Sequence, residues 1–295
     1  MIVVPGSGSP DLGLSTAKKL GATVVGFETR RFPDGERYVR LTGAVKDDDA
    51  VIIQSLYKDP DSLLVEYVFL ANTLFDLGVR RIMGVFPYLA YMRQDQRFKD
   101  GEAVSSKIIS SVIEASHTSE AFIIDPHLHR THSLDGLFSI RAHNVSAMPD
   151  LARYAKGRFG FSDPLVVAPD EEASQWASKV AEQLGVDHVV AKKVRLGDTS
   201  VEVELEDAAA RGRDVLLVDD IISTGGTLAN VAADLKKAGA KKVVALVTHG
   251  LFAPGAYESI RKAGVDDIVT TDSVPNPHGG LSVAPVIARA LESVL

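Results

Sequence analysis

The amino-acid sequence predicts an α/β protein of two similar domains, each a mainly parallel sheet flanked by helices. Three observations predict it. Short apolar runs alternate with amphipathic stretches along the whole chain. Several of those runs are continuous Val/Ile/Leu, the composition of strands buried on both faces. The chain has 295 residues, enough for two domains of ordinary size.

In chain order, the predicted strands are Ile2–Val4, Thr23–Gly26, Ala50–Gln54, Arg81–Phe86, Ala121–Ile124, Leu165–Ala168, His188–Ala191, Asp214–Val218, Lys242–Val247 and Asp267–Thr270. Helical spacing lies between them. Ser62–Leu77 places Leu63, Tyr67, Leu70, Leu74 and Leu77 on one face, and Gly78 suits a left-handed stop. Leu228–Ala238 does the same with Leu228, Val231, Ala232 and Leu235 before Gly239. Two stretches share a grammar of Leu-Ala-Asn, helix, Gly, paired basic residues and strand, at Leu70–Ile82 and Leu228–Val243. This is either the common syntax of α/β chains or two copies of one domain. A boundary near Arg141–Met148 divides the chain into 1–144 and 145–282, with 283–295 expected to return to the first domain.

Composition excludes several chemistries. The chain has no cysteine, so it has no disulfide, no thiolate zinc site, no cysteine-ligated cluster and no cysteine nucleophile. Its formal charge is −7, which argues against general nucleic-acid binding but leaves room for a local phosphate pocket. No run of 18 apolar residues and no secretory pattern at MIVVPGSGSPDLG is present, so a cytoplasmic protein is expected.

The most informative segment is Val215–Thr227, VLLVDDIISTGGT. It reads as an apolar strand ending in Asp219 and Asp220, a short loop, and a helix beginning at Thr227 or Leu228. A helix N-terminus offers unpaired N–H groups and a favourable dipole to an anion. Gly225 and Gly226 let backbone approach phosphate oxygens, and Ser223, Thr224 and Thr227 add hydroxyl donors. The two acids suit sugar hydroxyls or a metal. Phosphate at one end and a diol at the other describe a ribose 5-phosphate site.

This segment resembles the signature of the type I phosphoribosyltransferase fold, shared by phosphoribosyltransferases and ribose-phosphate pyrophosphokinases (PRPP synthetases). Further segments resemble the pyrophosphokinases. Phe32-Pro33-Asp34-Gly35-Glu36-Arg37-Tyr38 is similar to their nucleotide loop, which implies ATP contacts for Phe32, Asp34, Gly35 and Glu36; by itself it is a surface turn. Pro87–Arg97 is similar to their Pro-Tyr…Arg-Gln-Asp segment, which implies ATP contacts for Arg93 and Gln94. Asp125-Pro126-His127 resembles their Asp-x-His segment, which implies magnesium at His127. His129 and His132 lie close by, and a three-histidine zinc site is the competing reading.

Asp170, after the strand Leu165–Ala168, matches an aspartate associated with magnesium and ribose phosphate. Lys193 and Arg195 match a Lys-x-Arg that supplies catalytic charge, although counting from the strand end selects Lys192. Leu196–Glu206 reads as a hairpin or flap. Ser223 departs from the Asp of many family members. The resemblance implies a phosphoribosyltransferase-like fold, ATP and ribose 5-phosphate as substrates, Mg2+ as cofactor, and a homo-oligomer, dimer or higher, in which Phe32–Tyr38 could complete a neighbour's nucleotide site.

Overall fold

The structure is a computed structural model. It describes residues 1–45, 49–128, 133–161, 163–195, 201–204 and 210–295, with backbone alone for 192–195 and 201–204. The chain forms two compact units. One contains Met1–Ser146, Ser273–Pro275 and Ser282–Leu295; the other contains Ala147–Asp272 and Asn276–Leu281.

The first unit is built on a parallel six-stranded sheet. Its strands are β1 (Ile2–Pro5), β2 (Thr23–Val24), β5 (Asp49–Ile53), β6 (Arg81–Phe86), β7 (Glu120–Ile124) and β8 (Arg141–Val145), in the order β2-β1-β5-β6-β7-β8. Every residue of β5 is buried, as its Val-Ile-Ile run requires. Helix α1 (Pro10–Leu20) stops at Gly21, with φ 59°. Helix α2 (Pro60–Asp76) buries Leu63, Tyr67, Leu70 and Leu74. Leu77 is the C-cap of α2 and half exposed, so the expected apolar face ends one turn sooner. Helix α3 (Ser105–Ala115) follows β6. A hairpin of β3 (Phe27–Arg31) and β4 (Arg37–Leu41) is inserted between β2 and β5.

The second unit repeats the plan. Strands β9 (Leu165–Ala168), β10 (His188–Val190), β13 (Asp214–Ile222), β14 (Lys242–Gly250), β15 (Asp267–Thr271) and β16 (Gly279–Leu281) take the order β10-β9-β13-β14-β15-β16. A second hairpin, β11 (Lys192–Arg195) with β12 (Val201–Glu204), lies between β10 and β13. The same strand order and the same hairpin insertion favour two copies of one domain over shared syntax alone. The helices are α4 (Met148–Phe159), α5 (Ser174–Leu184), α6 (Gly226–Lys237) and α7 (Ala256–Lys262). Leu217 packs with Leu228, Val231 and Leu235 on one sheet face, while Leu216 and Val218 pack with Trp176 on the other. Alternate residues of β13 therefore enter different cores, which explains the unbroken apolar run. Truncating Leu216 or Leu217 to Ala should cost about 2–5 kcal/mol. Helix α8 (Ala284–Glu292) belongs to the first unit and packs on α1.

Two expectations change here. β13 does not end at Val218. It runs through both acids to Ile222, because its ladder with β14 continues at Ile221↔His249 and Ile222↔Gly250. The polar Arg141–Val145 stretch is the strand β8 rather than part of a linker.

Candidate active site

In the second unit, Asp219 and Asp220 sit within β13 and Asp170 follows β9, the strand paired with it. Asp220 is buried and Asp219 half-buried. Burial pushes the Asp219 carboxyl well above the usual carboxylate range. The charges of Asp220 and Asp170 push it further, and the Asp220 N–H, donated to Asp219 Oδ1 at 2.9 Å, pulls it partly back. Asp170 Oδ1 also accepts the Ala173 N–H at 3.2 Å, so this carboxylate caps the turn leading to α5.

The loop after β13 is three residues long, Ser223–Gly225, and α6 begins at Gly226, slightly earlier than expected. The Ile222 carbonyl accepts from Leu251 N and Phe252 N at 2.9 and 3.1 Å, and the Ser223 carbonyl from Ala253 N at 2.9 Å. The acceptor side of the turn is thus tied down. The first helical bond is Ala229 N to Gly225 O, at 2.9 Å, and no side chain caps the helix. The N–H groups of Gly226, Thr227 and Leu228 therefore precede the helical ladder and lack an intrahelical acceptor. Thr224, Gly226 and Thr227 are exposed around them.

The two glycines have different reasons. Gly225 has φ 76°, and an added Cβ would lie 2.5 Å from Ile260 of α7, so its missing side chain serves packing rather than ligand approach. A Cβ on Gly226 would meet nothing nearer than Thr224 Oγ1 at 4.0 Å, so Gly226 leaves open space over the N–H groups. Lys193 and Arg195 lie in the hairpin strand β11, opposite Val203 and Val201. Lys192 is in the same strand, opposite Glu204. Of the expected flap, 196–200 and 205–206 lie outside the described residues.

In the first unit, Phe32–Glu36 form the turn of the β3–β4 hairpin. Phe32 N–H donates to Glu36 O at 2.8 Å, and Gly35 N–H to Phe32 O at 2.9 Å. Asp34 Oδ1 accepts the Glu36 N–H at 3.3 Å, so Asp34 shapes the turn. Phe32, Asp34 and Glu36 are exposed, and the Arg30 guanidinium lies 4.4 Å from the Phe32 ring centroid. After β6, Arg93 is exposed and Gln94 half-buried, its Nε2 donating to Glu102 Oε2 at 3.2 Å.

His127 is half-buried, three residues beyond the end of β7. Asp125 has φ 35°, and β7 ends at Ile124, before His127. His129 and His132 lie outside the described residues. Among the described residues, no three His, Asp or Glu side chains converge as a ready-made metal cage.

Sequence reasoning missed Glu66. It is a fully buried carboxylate on α2 that accepts Ser7 Oγ at 2.5 Å and pairs with Arg37 at 2.6 Å. A signal was present: Glu66 stands three residues after Leu63 and four before Leu70, on the apolar face of the helix.

Comparison with known proteins separates the two classes that share the phosphate loop. Residues 1–116 match the N-terminal domain of ribose phosphate pyrophosphokinase, and 146–280 match the phosphoribosyl transferase domain. The ribose-phosphate pyrophosphokinase of Pyrococcus furiosus is 36% identical, with 98% of this chain and 100% of that protein covered. That of Methanobrevibacter smithii is also 36% identical, over 98% and 99%. This chain belongs to the ribose-phosphate pyrophosphokinase family.

A solved structure of phosphoribosylpyrophosphate synthetase from Mycobacterium smegmatis superposes with a TM-score of 0.89 at 27% identity, covering 99% of this chain and 98% of that one. The likeness to a ribose-phosphate pyrophosphokinase thus extends through both units and their hairpins. The chain is an enzyme of this type, a transferase of nucleotide biosynthesis. No helix of the described residues is long and apolar enough to cross a membrane.

Proposed function

We propose that the enzyme transfers the β,γ-diphosphate of ATP to O1 of ribose 5-phosphate. O1 attacks the β-phosphorus, and a bond forms there as the bond to the α-phosphate oxygen breaks. AMP leaves and the O1 proton passes to solvent, giving PRPP. The observation that carries this reading is the uncapped N-terminus of α6 beside two strand-borne acids, in a chain that matches pyrophosphokinases from end to end.

The 5-phosphate accepts hydrogen bonds from the Gly226–Leu228 N–H groups and from the hydroxyls of Ser223, Thr224 and Thr227. Asp219 and Asp220 accept from the ribose hydroxyls. Phe32 stacks on the base, with Gly35, Glu36, Arg93 and Gln94 contacting the nucleotide, while Asp34 holds the turn. Lys193 and Arg195 stabilise charge on the transferring and leaving groups. Catalysis rests on in-line positioning and charge neutralisation rather than a covalent intermediate.

Mg2+ fits this donor set. Burial and the charges of Asp220 and Asp170 oppose ionisation of Asp219, and a divalent cation offsets that opposition. Mg2+ keeps water and binds through one or two carboxylates plus phosphate oxygens, so it needs no full protein cage. Asp170 is the second unit's candidate for holding it and His127 the first unit's, and when bound it would neutralise and align phosphate oxygens. A homo-oligomer in the cytoplasm completes the reading.

The test is direct: incubate the enzyme with ATP, Mg2+ and ribose 5-phosphate. Equal amounts of AMP and PRPP, formed only when the sugar phosphate is present, are expected. Consumption of PRPP with a free base and no AMP from ATP would overturn it.

A further inference from the structure

The first unit holds a buried charge network that the reaction as described does not use. Glu66 is fully buried, and its Oε1 accepts from Ser7 N at 3.0 Å, Ser7 Oγ at 2.5 Å and Gln54 Nε2 at 2.9 Å. Its Oε2 accepts from Arg37 Nη1 at 2.6 Å. Arg37 begins β4, directly after the Phe32–Glu36 turn. Its Nη1 also donates to Thr29 on β3 at 2.9 Å, and its Nη2 to Ser62 on α2 at 2.9 Å. Arg31, the last residue before the turn, donates to Gly35 O at 2.9 Å and also to Ser62. Both ends of the nucleotide turn are therefore fastened to α2. The same helix reaches the second nucleotide segment, where the Tyr91 hydroxyl donates to Asp61 and Tyr91 has φ 69°.

We infer that Glu66 is a positioning residue for the nucleotide. Through Arg37 it fixes the hairpin that carries Phe32 and Glu36 to the helix that also holds the Tyr91–Gln94 segment. A purely structural role explains the network poorly. A buried ion pair seldom stabilises more than well-packed apolar residues of the same volume, and Arg37 Nε is buried with no hydrogen-bond partner among the described residues. The pair does supply direction: a guanidinium held by a carboxylate on one side and by hydroxyls on the other fixes the strand that leaves the turn. The inference rests on reading 32–36 as the nucleotide turn, so the experiment tests the two separately.

Three variants are compared by steady-state kinetics in both substrates, with thermal unfolding alongside: Phe32→Ala, Glu66→Gln, and the double variant Glu66→Leu with Arg37→Met. The expected result is a rise of at least about tenfold in the KM for ATP in all three, with the KM for ribose 5-phosphate changed by less than about twofold. In the double variant the melting temperature is expected to hold or rise while the KM for ATP stays high, a split that loss of fold does not produce. If Phe32→Ala raises the KM for ATP and the two Glu66 variants do not, or if they raise both KM values equally, the positioning role is overturned and the nucleotide turn stands. If Phe32→Ala leaves the KM for ATP unchanged, the reading of the turn fails, and the inference with it.

Discussion

The third strand of each sheet runs into a helix, and the two junctions have opposite chemistry. β5 and β13 begin in the same register, with Asp49 opposite Arg81 and Asp214 opposite Lys242. Counting forward from those residues, Gln54 and Ser55 stand where Asp219 and Asp220 do. In the first unit this end of the strand is satisfied from within. Gln54 accepts from Gly8 N at 2.9 Å and donates to Leu63 O and Glu66. Asp59 caps α2 by accepting the Ser62 N–H, and Pro60 removes one more donor. In the second unit the acids crowd one another, Gly225 turns the chain, and the N-terminus of α6 has no cap. One fold thus carries a closed junction and an open one. Helix N–H groups without an intrahelical acceptor beside crowded acids, rather than topology, mark the place for a charged ligand.

The contrast can be broken by moving the closed chemistry to the open junction. Asp59 is the N-cap of α2; its counterpart Gly225 has no room for a side chain, so Thr224→Asp, one residue earlier, brings a carboxylate near the free N–H groups of α6. Turnover of ribose 5-phosphate should fall by about 10²–10³. The ligand-free protein should gain about 0.5–1 kcal/mol, read by urea unfolding.

A second change exchanges a strand acid for its neutral counterpart. The folded-state pKa of Asp219 is raised, so its ionisation opposes folding once the pH passes the ordinary carboxylate range. Asp219→Asn should therefore raise the melting temperature at pH 7. The gain should vanish at pH values below the ordinary carboxylate range, where the wild-type acid is protonated in both states. Activity should be lost at both pH values. A melting temperature that falls at pH 7 would show that the acid is already compensated within the protein.

The smallest effect belongs to the closed junction. Asp59→Ala should cost about 1 kcal/mol of stability, measured by denaturant unfolding, because it removes a helix cap. It should leave the KM for ribose 5-phosphate within about twofold of wild type.

The buried strands were legible because two-sided burial writes itself as continuous Val, Ile and Leu. The phosphate loop was legible because its chemistry is local to one strand–turn–helix. The first hairpin escaped, and the second was expected only as a hairpin or flap at Leu196–Glu206, which left out its first strand. β3 is Phe-Glu-Thr-Arg-Arg, largely exposed, and β4 is Arg-Tyr-Val-Arg-Leu, at most half-buried, so no fully buried face imposes a clear period of two. β8, Arg-Ala-His-Asn-Val, escaped as a polar edge strand for the same reason. The extension of β13 past its acids depends on a ladder with residues about 30 positions away, which local pattern does not report. Glu66 escaped because helical spacing marks where side chains point, while its charge is accommodated by Ser7, Gln54 and Arg37, brought to it only by the fold.

The central claim is that the open α6 junction, and not its closed counterpart, holds the sugar phosphate. Isothermal titration calorimetry of ribose 5-phosphate into wild type, Thr224→Asp and Asp59→Ala tests it without chemistry or nucleotide. Binding is expected to survive in Asp59→Ala and to disappear in Thr224→Asp. Unchanged affinity in Thr224→Asp would contradict the account.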